Sequence, residues 1–194
     1  MTGGDKVGGV LPWRTTAAGV VWSSADESIS VTFDSAGMCR VRRSDERERV
    51  ERVEWSSVLD LTLRVPYAST TSVRLIEVWN MISPKYGEHS PDGVEISFRS
   101  GYREIMWDLG RTVQCSWKLE FLLTDLLYYL NDQRLVHVLG KPGFLDDFAK
   151  LLPMVPRRAR SMMYIDLFGL DRFVGGHGAL DSEIRTLTAR YEHG

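Results

Sequence analysis

SWKLEFLLTDLLYYLN, residues 116–131, is the stretch whose reading decides the fold. Leu119, Leu122, Leu123, Leu126, Leu127 and Leu130 recur at steps of three and four, the period of one face of an α-helix. Ser116 stands where an N-cap hydroxyl belongs, and Asn131-Asp132 breaks the run. Phe121, Tyr128 and Tyr129 add apolar surface outside the leucine stripe, so the helix is expected to touch more than one layer. Burial of the six leucines is worth roughly 2 kcal/mol each, the largest packing contribution legible in the chain.

Upstream of this helix the period changes to two. GVVWS, SISVTF and MCRVRR are short alternating or β-branched runs from Gly19 onward. Ser35-Ala36-Gly37 makes a tight turn, so 28–34 and 37–43 form an expected hairpin, with Ile29, Val31 and Phe33 facing Met38 or Val41. SDERERVERVEW, with ten charges from Arg42 to Glu54, reads as a solvated loop entering a short edge strand. In VLDLTLRV (58–65), Leu59, Leu61 and Leu63 alternate with Asp60, Thr62 and Arg64, and Pro66 ends the strand. SVRLIEVWNMI (72–82) reads as a further strand and SPKYGEHSPDG (83–93) as a loop. GVEISF and YREIMWDL then make a second hairpin turning at Ser100-Gly101, and TVQC is one more short segment. About seven antiparallel strands followed by one long helix point to an α+β fold. A helix laid over the open end of a small curved sheet buries its core.

The chain has 194 residues, 43% apolar and 26% charged, enough for one domain with a true core, or one domain with an appendage. A net charge of −2 disfavours a general nucleic-acid coat. Cys39 and Cys115, 76 residues apart and outside any CxxC pattern, read as small core residues in a reducing compartment. No stretch reaches the length of a membrane span, and MTGGDKVGGVLPW lacks the order of a signal peptide. Residues 1–16 are therefore expected to be a flexible lead-in, residues 17–132 the β domain with its helix, and 133–194 a helical extension, all cytoplasmic.

The early hairpin SISVTFDSAGMCRVRR, the phrase EWSSVLDLTLRV, the late hairpin VEISFRSGYREIMW and the helix at 116–131 together resemble the pleckstrin-homology-like superfold, over about residues 19–131. The resemblance implies a barrel or sandwich closed by its helix. It also implies binding of phospholipid headgroups, peptides or protein partners rather than catalysis. A phosphoinositide site of that kind would need Lys or Arg on the loop joining the first two strands. Ser23-Ser24-Ala25-Asp26-Glu27 offers two carboxylates and no cation, which repel phosphate, so this ligand is disfavoured.

The last third reads as helical. FLDDFAKLL (144–152) places Phe144, Leu145, Phe148, Leu151 and Leu152 on one face, and Leu180, Ile184, Leu187 and Tyr191 mark a final amphipathic helix. Between them lie two features that could meet a partner. Arg157, Arg158 and Arg160 have no acidic residue nearby in sequence, and guanidinium groups favour carboxylate or phosphate. Met162, Met163, Tyr164, Ile165, Leu167 and Phe168 either pack the extension on the β domain or form an apolar patch offered outward. The arginines at 40, 42, 43, 47, 49 and 52 alternate with carboxylates and read as self-paired surface charge.

Catalytic signatures are sparse. His89, His137, His177 and His193 share no metal-ligand spacing, GGDKVGG lacks the rest of a phosphate loop, and Asp125, Asp146 and Asp147 need geometry before any pairing can be assigned. The sequence therefore supports a non-catalytic protein-interaction module: an adaptor, regulator, immunity-type inhibitor or oligomeric component. Its expected contacts are Arg157, Arg158, Arg160, Met162, Met163, Tyr164 and Phe168, its partner a protein, self-association included, with no cofactor and no metal. The alternative is a small hydrolase or transferase using His177, Asp171 and Arg172.

Overall fold

A computed structural model of the chain describes residues 11–44, 47–66, 93–155 and 178–193. These form two antiparallel sheets followed by helices. The first sheet runs in the order β1 (Trp13–Thr16), β2 (Gly19–Ser23), β3 (Ile29–Asp34), β4 (Gly37–Ser44), β5 (Arg47–Glu54). The second runs β6 (Val58–Arg64), β7 (Gly93–Ser100), β8 (Arg103–Arg111). Helix α1 (Trp117–Gln133) follows, then a 3-10 turn (Val136–Gly140), α2 (Phe144–Ala149) and α3 (Gly178–Glu192). The fold is α+β, and among the described residues the two sheets do not close into a barrel.

Alternation along the strands builds the core. Val20, Trp22, Val31, Phe33 and Met38 of the first sheet face Leu61, Leu63, Ile96, Phe98, Trp107 and Leu109 of the second, and all are buried. An aromatic row crosses the first sheet, Trp13 to Trp22 to Phe33 to Trp55, with ring centres 5.0, 6.0 and 5.6 Å apart. The six leucines of α1 are buried in the same cluster. So are Val138, Leu139, Phe144, Phe148, Leu180 and Ile184, which means the described C-terminal helices share one core with the sheets.

Close approach fixes this seam. A Cβ on Gly140 would stand 2.0 Å from the Asp34 carbonyl oxygen, so only glycine lets the 3-10 turn lie on the β3 end. The indole of Trp55 donates to the same carbonyl at 2.7 Å, and that of Trp13 reaches Asp146 Oδ1 at 3.1 Å. Asp147 is equally structural: its carboxylate accepts from Tyr191 at 2.7 Å and Lys150 at 2.6 Å. Arg185 of α3 lies over the Tyr129 ring of α1, 5.9 Å from its centre.

Several expectations are corrected. Trp13–Thr16, assigned to the lead-in, pair with β2 as an edge strand because Trp13 is buried against Trp22. The expected loop after Ser44 is instead the eight-residue strand β5, in register with β4 from Gly37↔Glu54 to Ser44↔Arg47. Cross-strand ion pairs (Arg40–Glu51, Arg43–Glu48) stabilise a ladder that hydrophobic alternation alone does not signal.

Leu59 points outward and is 57% exposed, while Val58 is buried. A β-bulge between Val58 and Asp60 inserts one residue opposite β7 and inverts the alternation at that point. Met38 pairs with Phe33 on the core face; Val41 lies on the other face, beside Val50. Residues 144–152 make a helix only to Ala149, after which Leu151 and Leu152 sit half-buried in a 3-10 turn at Pro153. The segment TVQC contributes only a bridge at Cys115, whose N–H donates to Pro66 O at 2.7 Å. The expected strand at 72–82, with Trp79, lies outside the described residues.

Candidate functional site

Helix α1 lies along the outer edge of β6, and two of its polar side chains do the work of a missing strand. Asn131 Oδ1 accepts from Leu61 N–H at 3.0 Å while its Nδ2 donates to Leu61 C=O at 2.8 Å. Three turns earlier, Glu120 Oε2 accepts from Val65 N–H at 2.8 Å, in a buried position. The spacings agree. Eleven helical residues rise about 16 Å and four strand residues about 13 Å, so one antiparallel alignment serves both contacts.

The ends of α1 hold that alignment. Ser116 Oγ accepts from Lys118 N–H at 3.3 Å, the cap expected from its position. The helix does not stop at Asn131 but runs to Gln133, where Arg134 takes a left-handed conformation (φ 58°) and donates back to Asn131 and Leu130. Ending two residues later keeps Asn131 inside regular helix, with its amide aimed at the strand.

Between strand and helix runs a groove of about 320 Å³. The buried Leu61, Leu63 and Leu127 lie beneath it, and Thr62, Thr124 and Asn131 form its neutral polar walls. Asp60 and Asp132 are exposed on its rim, among the described residues no Lys or Arg lines it, and Tyr128 stands beside it 43% exposed. Such a surface combines hydrogen-bonding groups, an aromatic ring and negative charge, which suits a cationic extended ligand.

Two titratable groups away from the groove have structural explanations. Burial, with the Glu120 carboxylate as a second cause, pushes the Cys115 thiol up to about 12, so it stays protonated and unreactive at neutral pH. In the loop joining β2 and β3, hydrogen bonds from Ser24 and Ser28 bring Asp26 down to about 2. That carboxylate accepts from both Ser hydroxyls and from Ser28 N–H, and so organises its own turn. Because β1 precedes it, this loop joins the second and third strands. Among the described residues no three His, Cys, Asp or Glu side chains gather as a metal site. No helix among them is long and apolar enough to cross a membrane.

Arg157, Arg158, Arg160, Met162, Met163, Tyr164 and Phe168 lie outside the described residues, as do His177, Asp171 and Arg172. The groove residues Asp60, Tyr128, Asn131 and Asp132, and Glu120 further along α1, were read from the sequence as strand and helix positions and not as site residues. Their one signal was a glutamate and an asparagine three turns apart on a leucine-rich helix, which has meaning only once an edge strand lies beside them. Compared with models of protein families, with curated proteins and with solved structures, the chain matches none.

Proposed function

We propose that this chain is a non-catalytic protein-interaction module on a pleckstrin-homology-like scaffold, and that the β6–α1 groove receives an extended, basic segment of a protein partner. Strands followed by a helix that covers a sheet edge support the scaffold reading. The observation that carries the functional reading is the groove itself: the Thr62 and Thr124 hydroxyls and the Tyr128 ring along it, and the carboxylates of Asp60 and Asp132 on its rim. Because Asn131 and Glu120 already occupy the Leu61 and Val65 backbone groups, the segment would be held by its side chains, Lys or Arg against the Asp60 and Asp132 carboxylates.

The test is an array of extended peptides of varied charge probed with the labelled chain. Lys- and Arg-bearing peptides should bind, and the double substitution Asp60→Lys, Asp132→Lys should weaken them by at least about tenfold without lowering the unfolding midpoint. Amide resonances of Thr62, Thr124 and Tyr128 should shift on binding. Tight binders that leave those resonances in place would remove the groove as the contact surface.

A further inference from the structure

β5 is the last strand of the first sheet among the described residues. β5 is eight residues long, and among the described residues no strand pairs with its outer side. Glu48, Arg49, Val50 and Arg52 are exposed, Val50 by 56%. The direction of its backbone groups follows from one hydrogen bond. Arg43 N–H donates to Ser28 C=O at 2.7 Å, so Arg43, and with it Val41 and Cys39, turn their backbone polar groups toward β3. Met38, Arg40 and Arg42 therefore bond toward β5, and their register partners Val53, Glu51 and Arg49 bond back. Glu48, Val50, Arg52 and Glu54 are left with N–H and C=O directed outward.

We propose that this edge pairs antiparallel with β5 of a second copy of the chain, with the two-fold axis at Val50. The sequence RERVERVE (47–54) is self-complementary about that residue. Val50 meets Val50. Glu48, paired with Arg43 in its own chain, meets Arg52 of the second copy, paired there with Asp34. Arg49 meets Glu51 of the second copy, extending the Arg49–Glu51 pair present within each chain. Outward-facing backbone groups then oppose outward-facing groups, as an antiparallel ladder requires. The neighbouring registers with the same backbone match fail on charge. They place Arg49 on Arg49, Glu51 on Glu51, Glu48 on Glu48 or Arg52 on Arg52 at the axis, and like charges directly opposite are destabilising. An axis at Val53 avoids this but pairs only Arg52, Val53 and Glu54.

The apolar strip agrees with the same axis. Val41 is the register partner of Val50 on the outer sheet face, so the pairing lines up Val41, Val50, Val50 and Val41 across the junction. Charged edge strands normally discourage pairing with unrelated chains. Here alternation of sign allows one register with one partner, itself, and yields a sheet continuous through both copies. This interface lies on the other sheet from the β6–α1 groove and does not depend on the groove having a ligand.

Sedimentation velocity of the full chain over a wide concentration range tests it. The expected result is a reversible dimer that Val50→Pro abolishes, because residue 50 directs its N–H outward and proline there leaves the β4–β5 ladder intact. Glu48→Arg and Arg52→Glu should each weaken self-association by at least about tenfold, since each variant alone opposes like charges. Mixing those two variants should restore a dimer, as every opposed pair is then of opposite sign. A chain that stays monomeric at the highest concentration, a dimer that survives Val50→Pro, or a mixture that fails to recover would each overturn the proposal. Unfolding midpoints of the two charge variants separate lost pairing from lost folding, and the mixture decides the matter should the proline variant not fold.

Discussion

The guanidinium of Arg40 lies over the Trp107 ring, 5.0 Å from its centre, and joins the two sheets. Its Nε donates to Glu51 Oε2 at 3.1 Å, and Glu51 Oε1 meets Arg49 Nε at 3.0 Å. Arg40 is 7% exposed, and among the described residues its Nη1 has no hydrogen-bond partner. Burial, opposed by Glu51, lowers its pKa. The sequence reading placed this residue among surface charges; the core face of β4 holds it instead, because Arg40 stands two residues from the buried Met38 and so shares its face.

The two halves of that pair should respond differently to substitution. Glu51→Ala leaves a buried cation uncompensated and should cost about 3 kcal/mol. Arg40→Met keeps an apolar stem against Trp107 and removes the orphaned donor, so its cost should stay within about 1 kcal/mol. Urea unfolding measures both. Equal losses would mean that the ion pair, and not desolvation, dominates this position.

The bulge in β6 makes a contrast that sequence alternation does not foresee. Leu59 and Leu61 look equivalent in VLDLTLRV, yet one is exposed and the other fully buried. Leu59→Lys should change stability by no more than about 0.5 kcal/mol. Leu61→Ala should cost about 2–5 kcal/mol, from lost transfer energy and the cavity left behind. Comparable losses from both would place the bulge elsewhere.

Tyr191 ties stability to alkaline pH. Burial first, then the hydrogen bond to Asp147, raises its pKa from 10.0 to about 12. A raised folded pKa means the folded chain holds the phenol proton more tightly than the unfolded chain. The contribution is complete below pH 10 and is lost as pH rises toward about 12. Asp147 behaves oppositely. Lys150 and Tyr191 lower its pKa, so its contribution is present above its ordinary value of 3.8 and fades as pH falls below it. Tyr191→Phe should cost about 1–2 kcal/mol at neutral pH and remove the alkaline loss. Thermal unfolding followed from pH 7 to the alkaline limit would show whether that slope disappears.

Much of the local structure could be read from residue order. The leucine period of α1, the Ser116 cap, the two hairpins and the final helix were legible because each depends on contacts within a few residues. The groove and the β5 edge were not. Glu120 and Asn131 are unremarkable helix residues until β6 supplies the backbone groups they bind, and neither partner lies within fifty positions of them.

What the amino-acid order determined alone was the kind of element at each place, since helix and strand periods are properties of consecutive side chains. Which polar residues would be buried, which leucine would be exposed and which strands would end the two sheets among the described residues were decided only in three dimensions. Those outcomes depend on which backbone lies beside which side chain, and pairing between distant segments sets that after the local pattern is formed.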